Sequence, residues 1–206
     1  VANITPKQAV GLLRGITAGL EAALEAELPL ALLDMEADIK RRIFLNGLDA
    51  NGTKIGSYST EPIYVSIKGA KKRYGSQIPT SKLKGKGKAD SSKSKFKNGN
   101  SRRSQYFKDG YSGFRKLMDR DTSTVNLDLT SNLQNSILTG TNGNIGTIEF
   151  ISGNLKTGDV DGQTLAGYLE EHFGDKKIFS ASQGEVDLLN QALEQAANEY
   201  LQRFLP

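Results

Sequence analysis

The sequence predicts an α+β fold: a small antiparallel sheet packed by a long C-terminal helix and N-terminal helices, with an extended basic insertion. Three observations predict it. Apolar residues recur every three or four positions near both ends of the 206-residue chain, the period of an amphipathic helix. The middle switches to two-residue alternation and Gly/Asn turns, the pattern of strands. Within it lies "KLKGKGKADSSKSKFKNGNSRR", Lys82 to Arg103, with nine Lys or Arg against one acid, Asp90. Such a stretch is too polar to bury a core.

Residues 5–28 are predicted helical. Thr5 is placed to N-cap, and Pro6 takes the first helical position, where its missing N–H costs nothing. Val10, Leu13, Ile16, Leu20, Leu24 and Leu28 form one stripe. Gly11, Gly15 and Gly19 recur every fourth residue. They predict either a face closely packed by another helix or a helix of low intrinsic stability. Pro29 is expected to kink or interrupt the helix. A second helix, Leu30 to Asn46, places Leu32, Met35, Ile39 and Ile43 on one face. Lys40, Arg41 and Arg42 fall near its C-terminal dipole, where cations are favourable.

Gly47, Asn51 and Gly52 then mark a turn, and Tyr58, Ile63, Tyr64 and Val65 suggest extended chain. "SQYFKDGYSGFRKLMDR" reads as a short helix with Phe114, Leu117 and Met118 facing in. Val125, Leu127 and Leu129 alternate with Asn126 and Asp128, predicting a strand with one buried face. Thr130 or Ser131 is expected to cap a short helix carrying Leu133 and Ile137. The dipeptide Asn142–Gly143 predicts a hairpin return into a strand with Ile148 and Phe150 on one face. "GQTLAGYLEEHFG" is a helix closed by Gly174. The last helix opens on a capping box, Ser182 with Glu185. Val186, Leu189, Leu193, Ala196 or Ala197, Tyr200 and Phe204 run down one face, expected to pack on the sheet, with a partner-helix seam as the alternative.

Charge is unevenly spread. From Lys68 to Lys108 fourteen Lys or Arg stand against one acid, a balance of +13; with a total of +4, the rest of the chain holds −9. This asymmetry points to a polyanionic or acidic partner for the segment; a solvated like-charge run is the plain alternative. The candidate contact residues, toward a protein partner or the DNA backbone, are Lys71, Lys72, Arg73, Lys82, Lys84, Lys86, Lys88, Lys93, Lys95, Lys97, Arg102 and Arg103. Eleven of the fourteen are Lys, point charges rather than base-reading forks, so any DNA contact is to the backbone alone. No helix-turn-helix, zinc-finger or RNA-recognition signature is present.

The remaining patterns exclude chemistry more than they suggest it. Without cysteine there is no disulfide and no thiol catalysis, which fits assembly in a reducing cytoplasm. His172 is the single histidine; it sits beside two glutamates on an expected surface helix and reads as solvated. A zinc site needs about four N or S ligands. "LDANGTKIG" alternates Asp49, Asn51 and Thr53, but Lys54 and Thr60 stand where a calcium loop needs its glycine and its bidentate glutamate; it reads as a turn. "GSQIPTSKLKGKGK" lacks the spacing of a phosphate-binding loop. No catalytic, cofactor-binding or metal residue is assigned, no cofactor is expected, and the chain is expected not to be an enzyme. No apolar run reaches transmembrane length, so no membrane partner is expected. "VANITPKQAVGLL" lacks the basic start and apolar stretch of a signal peptide.

From Phe44 onward the order of elements resembles the tail-completion or virion-morphogenesis proteins of tailed bacteriophages, which join head to tail. The matching pieces are "GLDANGTKIGSYS", a variable basic segment, "VNLDLTSNLQNSI", "GTIEFIS", "TLAGYLEEHFG" and "KKIFSASQGEVDLLNQALEQAANEYLQRFL". The family's strand followed by "LTG-x-L-x-x-S-I" is matched by Leu129, Thr130, Leu133, Ser136 and Ile137, with Ser131 replacing the glycine. Its acidic-Phe-Gly element is matched by Glu171, Phe173 and Gly174, with His172 inserted. Lys177, Ile178 and Phe179 stand at the lead-in to the last helix, without the family's proline.

The resemblance implies a structural head–tail connector: a homo-oligomeric ring in the virion neck, assembled in the host cytoplasm, with no catalysis and no cofactor. Its implied partners are copies of itself, the portal with its adaptor, and the tail. Residues 1–46 are then an N-terminal helical segment and 47–206 a tail-completion-like α+β domain, with the basic insertion arm at 67–108. The arm would lie on an acidic neighbour, on the portal assembly, or against DNA in the channel. A non-specific nucleic-acid-binding module is the alternative reading, and an enzyme acting through Asp or Glu a third.

Overall fold

The computed structural model describes residues 5–74, 82–83, 104–127, 132–150 and 162–204, with the backbone alone for 71–74 and 132. Helix α1 (Pro6–Lys40) begins where the sequence places it. Gln8 N donates to Thr5 Oγ1 at 3.4 Å and Thr5 N donates to Gln8 Oε1 at 2.9 Å, a capping box.

The helix does not stop at Pro29, so the two predicted helices are one. Proline removes a backbone hydrogen bond and crowds the preceding turn, at a cost of about 3 kcal/mol. Around it Leu28, Ala31, Leu32, Met35 and Ile39 are all buried. Each large side chain contributes roughly 1.5–3 kcal/mol on burial, so the packed face outweighs the local defect. α1 runs into a π turn, Arg41–Leu45, where Asn46 N donates to Arg41 O at 3.1 Å. Ile43 and Phe44 stay buried through it.

Helix α6 (Gln183–Leu201) carries the expected Ser182–Glu185 capping box and ends in a 3-10 turn, Gln202–Phe204. It runs antiparallel to α1: Glu185 meets Arg42 near one end, and Tyr200 lies over Gly19 near the other. Its principal partner is therefore α1, not a sheet as expected. A Cβ on Gly19 would collide with the Tyr200 hydroxyl, whereas Gly11 and Gly15 face open space. Close packing explains one of the three glycines.

Among the described residues the strands form two separate two-stranded antiparallel sheets. β1 (Ile63–Ser66) pairs with β2 (Ser104–Phe107), Ile63 opposite Phe107 and Ser66 opposite Ser104. β3 (Ile137–Asn142) pairs with β4 (Ile145–Phe150) across Gly143 and Asn144. Gly143, at φ 59°, supplies the positive φ that a two-residue hairpin turn requires. Ile137 thus opens β3 instead of riding on the short helix α4 (Asn132–Ser136). Between the sheets, α2 (Ile67–Tyr74) follows β1, and α3 (Gly110–Leu117) follows β2, burying Phe114 and, just beyond it, Met118. α5 (Gly162–His172) ends just before Gly174, at φ 83°.

The strand expected at Val125–Leu129 does not form over its described part. Residues 125–127 have no ladder partner, and Leu127 lies at φ 50°, which breaks the extended backbone. Val125 is nevertheless buried: the alternation reported burial, not pairing. Leu129 and the expected caps Thr130 and Ser131 lie outside the described residues.

Among the described residues the apolar side chains gather in two clusters. The larger joins Met35, Ile39 and Ile43 of α1 and its π turn to Ile55, Ile137 and Ile178. The smaller joins Phe107, Phe114 and Met118 to Ala70 and Leu83. The architecture is the mixed helix-and-strand class that the sequence predicts, with long N- and C-terminal helices packed together. No helix among the described residues is long and apolar enough to cross a membrane.

Candidate functional site

The basic segment is the connection of the β1–β2 pair. Ser66 and Ser104 face each other in the ladder, so the chain leaves and returns at one place. Two anchors tie this root to the smaller core cluster. Ala70 on α2 and Leu83 are both buried against the Phe107–Phe114 group. Lys82 is ion-paired with Asp119, just past α3. Of the candidate contact residues, Lys82 is the one whose side chain is described. Lys71, Lys72 and Arg73 lie on the α2 backbone, and Lys84, Lys86, Lys88, Lys93, Lys95, Lys97, Arg102 and Arg103 lie outside the described residues.

A second surface lies at the far end of the α1–α6 pair. N-terminal to Gly19, α1 continues for about three and a half turns, roughly 20 Å at 1.5 Å per residue. The predicted stripe loses cover along this stretch: Leu24, Leu20 and Ile16 are half-buried, and beyond them Leu13 is 63% and Val10 49% exposed. Leu12 on α1 and Phe204 beyond α6 are exposed as well.

The polar interactions that hold the body together were not visible in the sequence. Arg42, expected only to complement a helix dipole, is buried. Its Nε donates to Glu185 Oε1 at 2.8 Å, Nη1 to Ile178 O at 3.0 Å, and Nη2 to Ser180 O at 2.7 Å. Glu185 in turn accepts from Ser182 N at 2.6 Å. Burial pushes the Glu185 carboxyl up, but the Arg42 guanidinium and the Ser182 amide more than reverse this, leaving its pKa below the usual 4.5. Glu36 accepts from Lys40 Nζ at 2.6 Å and from Thr139 N at 2.9 Å, docking β3 on α1. Its pKa is likewise lowered, burial being outweighed by these donors. Glu170 Oε1 accepts from Ile178 N at 2.8 Å and Phe179 N at 3.0 Å.

A third group centres on Arg115, the largest of the fully buried side chains at 1% exposure. Its Nε donates to Asp121 O at 3.2 Å and Nη2 to Asn126 Oδ1 at 2.8 Å, and its guanidinium carbon lies 4.2 Å from the Tyr58 ring centroid. Burial raises the Tyr58 phenol above its usual 10, with Arg115 pulling the other way. Asp49, in the rejected calcium-loop pattern, accepts from the Asn51 and Thr53 amides at 2.9 and 3.0 Å and from Thr53 Oγ1 at 2.5 Å, a local turn as predicted. His172 is exposed and meets Phe173 edge-on. Among the described residues no group of three His, Cys, Asp or Glu is placed to hold a metal.

No protein-family model, curated protein or solved structure matches this chain.

Proposed function

We propose that the chain is a non-enzymatic structural protein of a tailed-phage virion neck, forming a ring that joins the portal and adaptor of the head to the tail. The observation that carries the reading is the uncovered apolar stripe at the outer end of α1, with Val10 and Leu13 exposed next to the end of α6. An apolar helix face continuous with an internal helix pair is what a subunit leaves open when a neighbour completes it. The basic connection, rooted on the smaller core and set against a −9 remainder, supports the same reading, since an acidic neighbouring copy would accept it. A second reading, non-specific contact with the DNA backbone, is favoured by the same fourteen basic residues.

Sedimentation of the purified chain, alone and with head and tail neck components, tests the first reading. A closed oligomer that dissociates in the Val10→Asp, Leu13→Asp double variant is expected. A chain that stays monomeric with every neck component overturns it. Duplex-DNA binding with a steep salt dependence, lost when Lys84, Lys86, Lys88, Lys93, Lys95 and Lys97 become Ala, would select the second reading. Each phosphate contact contributes about −0.9 to the log–log salt slope.

A further inference from the structure

Between the 57–59 loop, α3 and the end of α5 lies a cavity of about 390 Å³, within the range of small-molecule sites, roughly 300–1,000 Å³. Its walls are largely aromatic and aliphatic: Tyr58, Tyr111, Leu127 and Phe173 line it. Arg115 lines it too, and this residue is out of keeping with such a wall. A guanidinium buried to 1% exposure normally faces a carboxylate, because desolvation of the charge is costly and neutral partners offset it only in part. Arg42, at a similar depth, has Glu185. Arg115 has no Asp or Glu partner among the described residues. The nearby Asp121 carboxylate instead accepts from Ser123 N at 3.0 Å and Thr124 Oγ1 at 3.1 Å. A purely structural role accounts for Nε on the Asp121 carbonyl, Nη2 on Asn126 and the stack on Tyr58. It leaves Nη1 without a hydrogen bond among the described residues, on a side chain that borders an open, mostly apolar space.

We propose that this cavity binds a small aromatic monocarboxylate, its carboxylate on the free edge of Arg115 and its ring between Tyr111 and Phe173. A planar guanidinium edge matches a carboxylate, and aromatic walls suit a single ring. Arg115 is the one arginine or lysine on the lining and suits a single negative charge, while the negative end of the α5 dipole, beside His172 on the facing wall, disfavours the second charge of a phosphate dianion. The site is independent of the assembly reading, since none of its residues belongs to the exposed α1 stripe or the basic segment.

Calorimetric titration of the full chain with 3-phenylpropionate, and with 3-phenylpropan-1-ol as the neutral isostere, tests it. Saturable binding of the acid is expected, with the alcohol at least about tenfold weaker, the scale of a hydrogen-bonded charge. Arg115→Lys keeps the charge but loses the fork, and is expected to weaken the acid by about tenfold. Ser57→Phe, at an exposed position on the cavity lining, is expected to block binding without changing the melting temperature, and keeps the test decisive should the Arg115 variant not fold. Equal binding of acid and alcohol, no saturation by the acid in the millimolar range, or full affinity in Ser57→Phe overturns the proposal.

Discussion

Replacing Arg42 with Met removes the guanidinium that joins α1 to the lead-in of α6 while keeping much of its apolar stem. The loss is calculable in outline. Glu185 Oε1, Ile178 O and Ser180 O lose donors at 2.8, 3.0 and 2.7 Å, and longer bonds at 3.3 Å to Glu185 Oε2 and Leu48 O go with them. The Glu185 side chain is only 7% exposed, so its charge is left buried with the Ser182 amide and hydroxyl. Removing one partner of such a pair costs about 3–5 kcal/mol. For a chain of this size each kcal/mol lowers the melting temperature by roughly 2–4 °C, so a fall on the order of 10 °C is expected in a circular-dichroism melt. Converting Glu185 to Met as well removes the stranded charge, so the double variant is expected to lose less than the sum of the single ones. The pH dependence adds an independent check. Because the folded-state pKa of Glu185 is lowered, the stability it contributes is complete above its usual 4.5 and is lost as pH falls through the folded value. The gap between wild type and Arg42→Met is therefore widest near neutrality and closes on acidification. A change under about 0.5 kcal/mol, the scale of ordinary surface substitutions, or a gap that widens in acid, would refute the reasoning.

Two further substitutions probe the helix pair and its hairpin. Gly19→Ala drives a Cβ into Tyr200, whereas Gly15→Ala meets open space. Overpacking of about 1–3 kcal/mol outweighs the gain of up to about 1 kcal/mol in helix propensity at the first site only. Urea titration should show destabilisation for Gly19→Ala and stabilisation for Gly15→Ala; the same sign at both sites would contradict the packing of Tyr200. Glu36→Gln removes the charge that Lys40 and the Thr139 amide share, at about 1–2 kcal/mol. Amide exchange should accelerate at Thr139 ahead of the rest of β3, and unchanged protection there would show that Glu36 does not dock the hairpin.

The parts of the fold that the sequence announces are those with short-range causes. The Thr5 and Ser182 caps, the Asn142–Gly143 turn and the Gly174 stop each act within a few residues. Failures arose where a long-range contact decides. Pro29 breaks a helix on local grounds, yet with the buried face from Leu28 to Ile39 around it the helix continues past it. Val125 and Leu127 alternate like a strand, yet no neighbouring strand is paired there and Leu127 turns away at positive φ. Of the basic segment, its charge and its position between two strands were legible; the burial of Leu83 depends on Ala70, Phe107, Phe114 and Met118, and the pairing of Lys82 on Asp119, 37 positions away. Arg42–Glu185 spans 143 positions, and nothing in either residue's neighbourhood marks it, since an Arg near a helix end and a Glu in a capping box each have a sufficient local reason to be there.

These long-range polar contacts share one arrangement. Glu36 holds the Thr139 amide, Glu170 the Ile178 and Phe179 amides, Arg42 the Ile178 and Ser180 carbonyls, and Arg115 the Asp121 carbonyl. In each case a helical side chain satisfies backbone groups of irregular or edge chain. Two-stranded sheets leave such groups unpaired, and burying them unpaired would cost about 1–3 kcal/mol apiece. Side chains from helices thus do what additional strands would do in a larger sheet. Glu36 pairs with Lys40, Arg42 pairs with Glu185, and Glu170 is half-buried; among the described residues Arg115 is the buried cation of this set without a carboxylate, which is why the cavity beside it is the place where the fold leaves chemistry unspent.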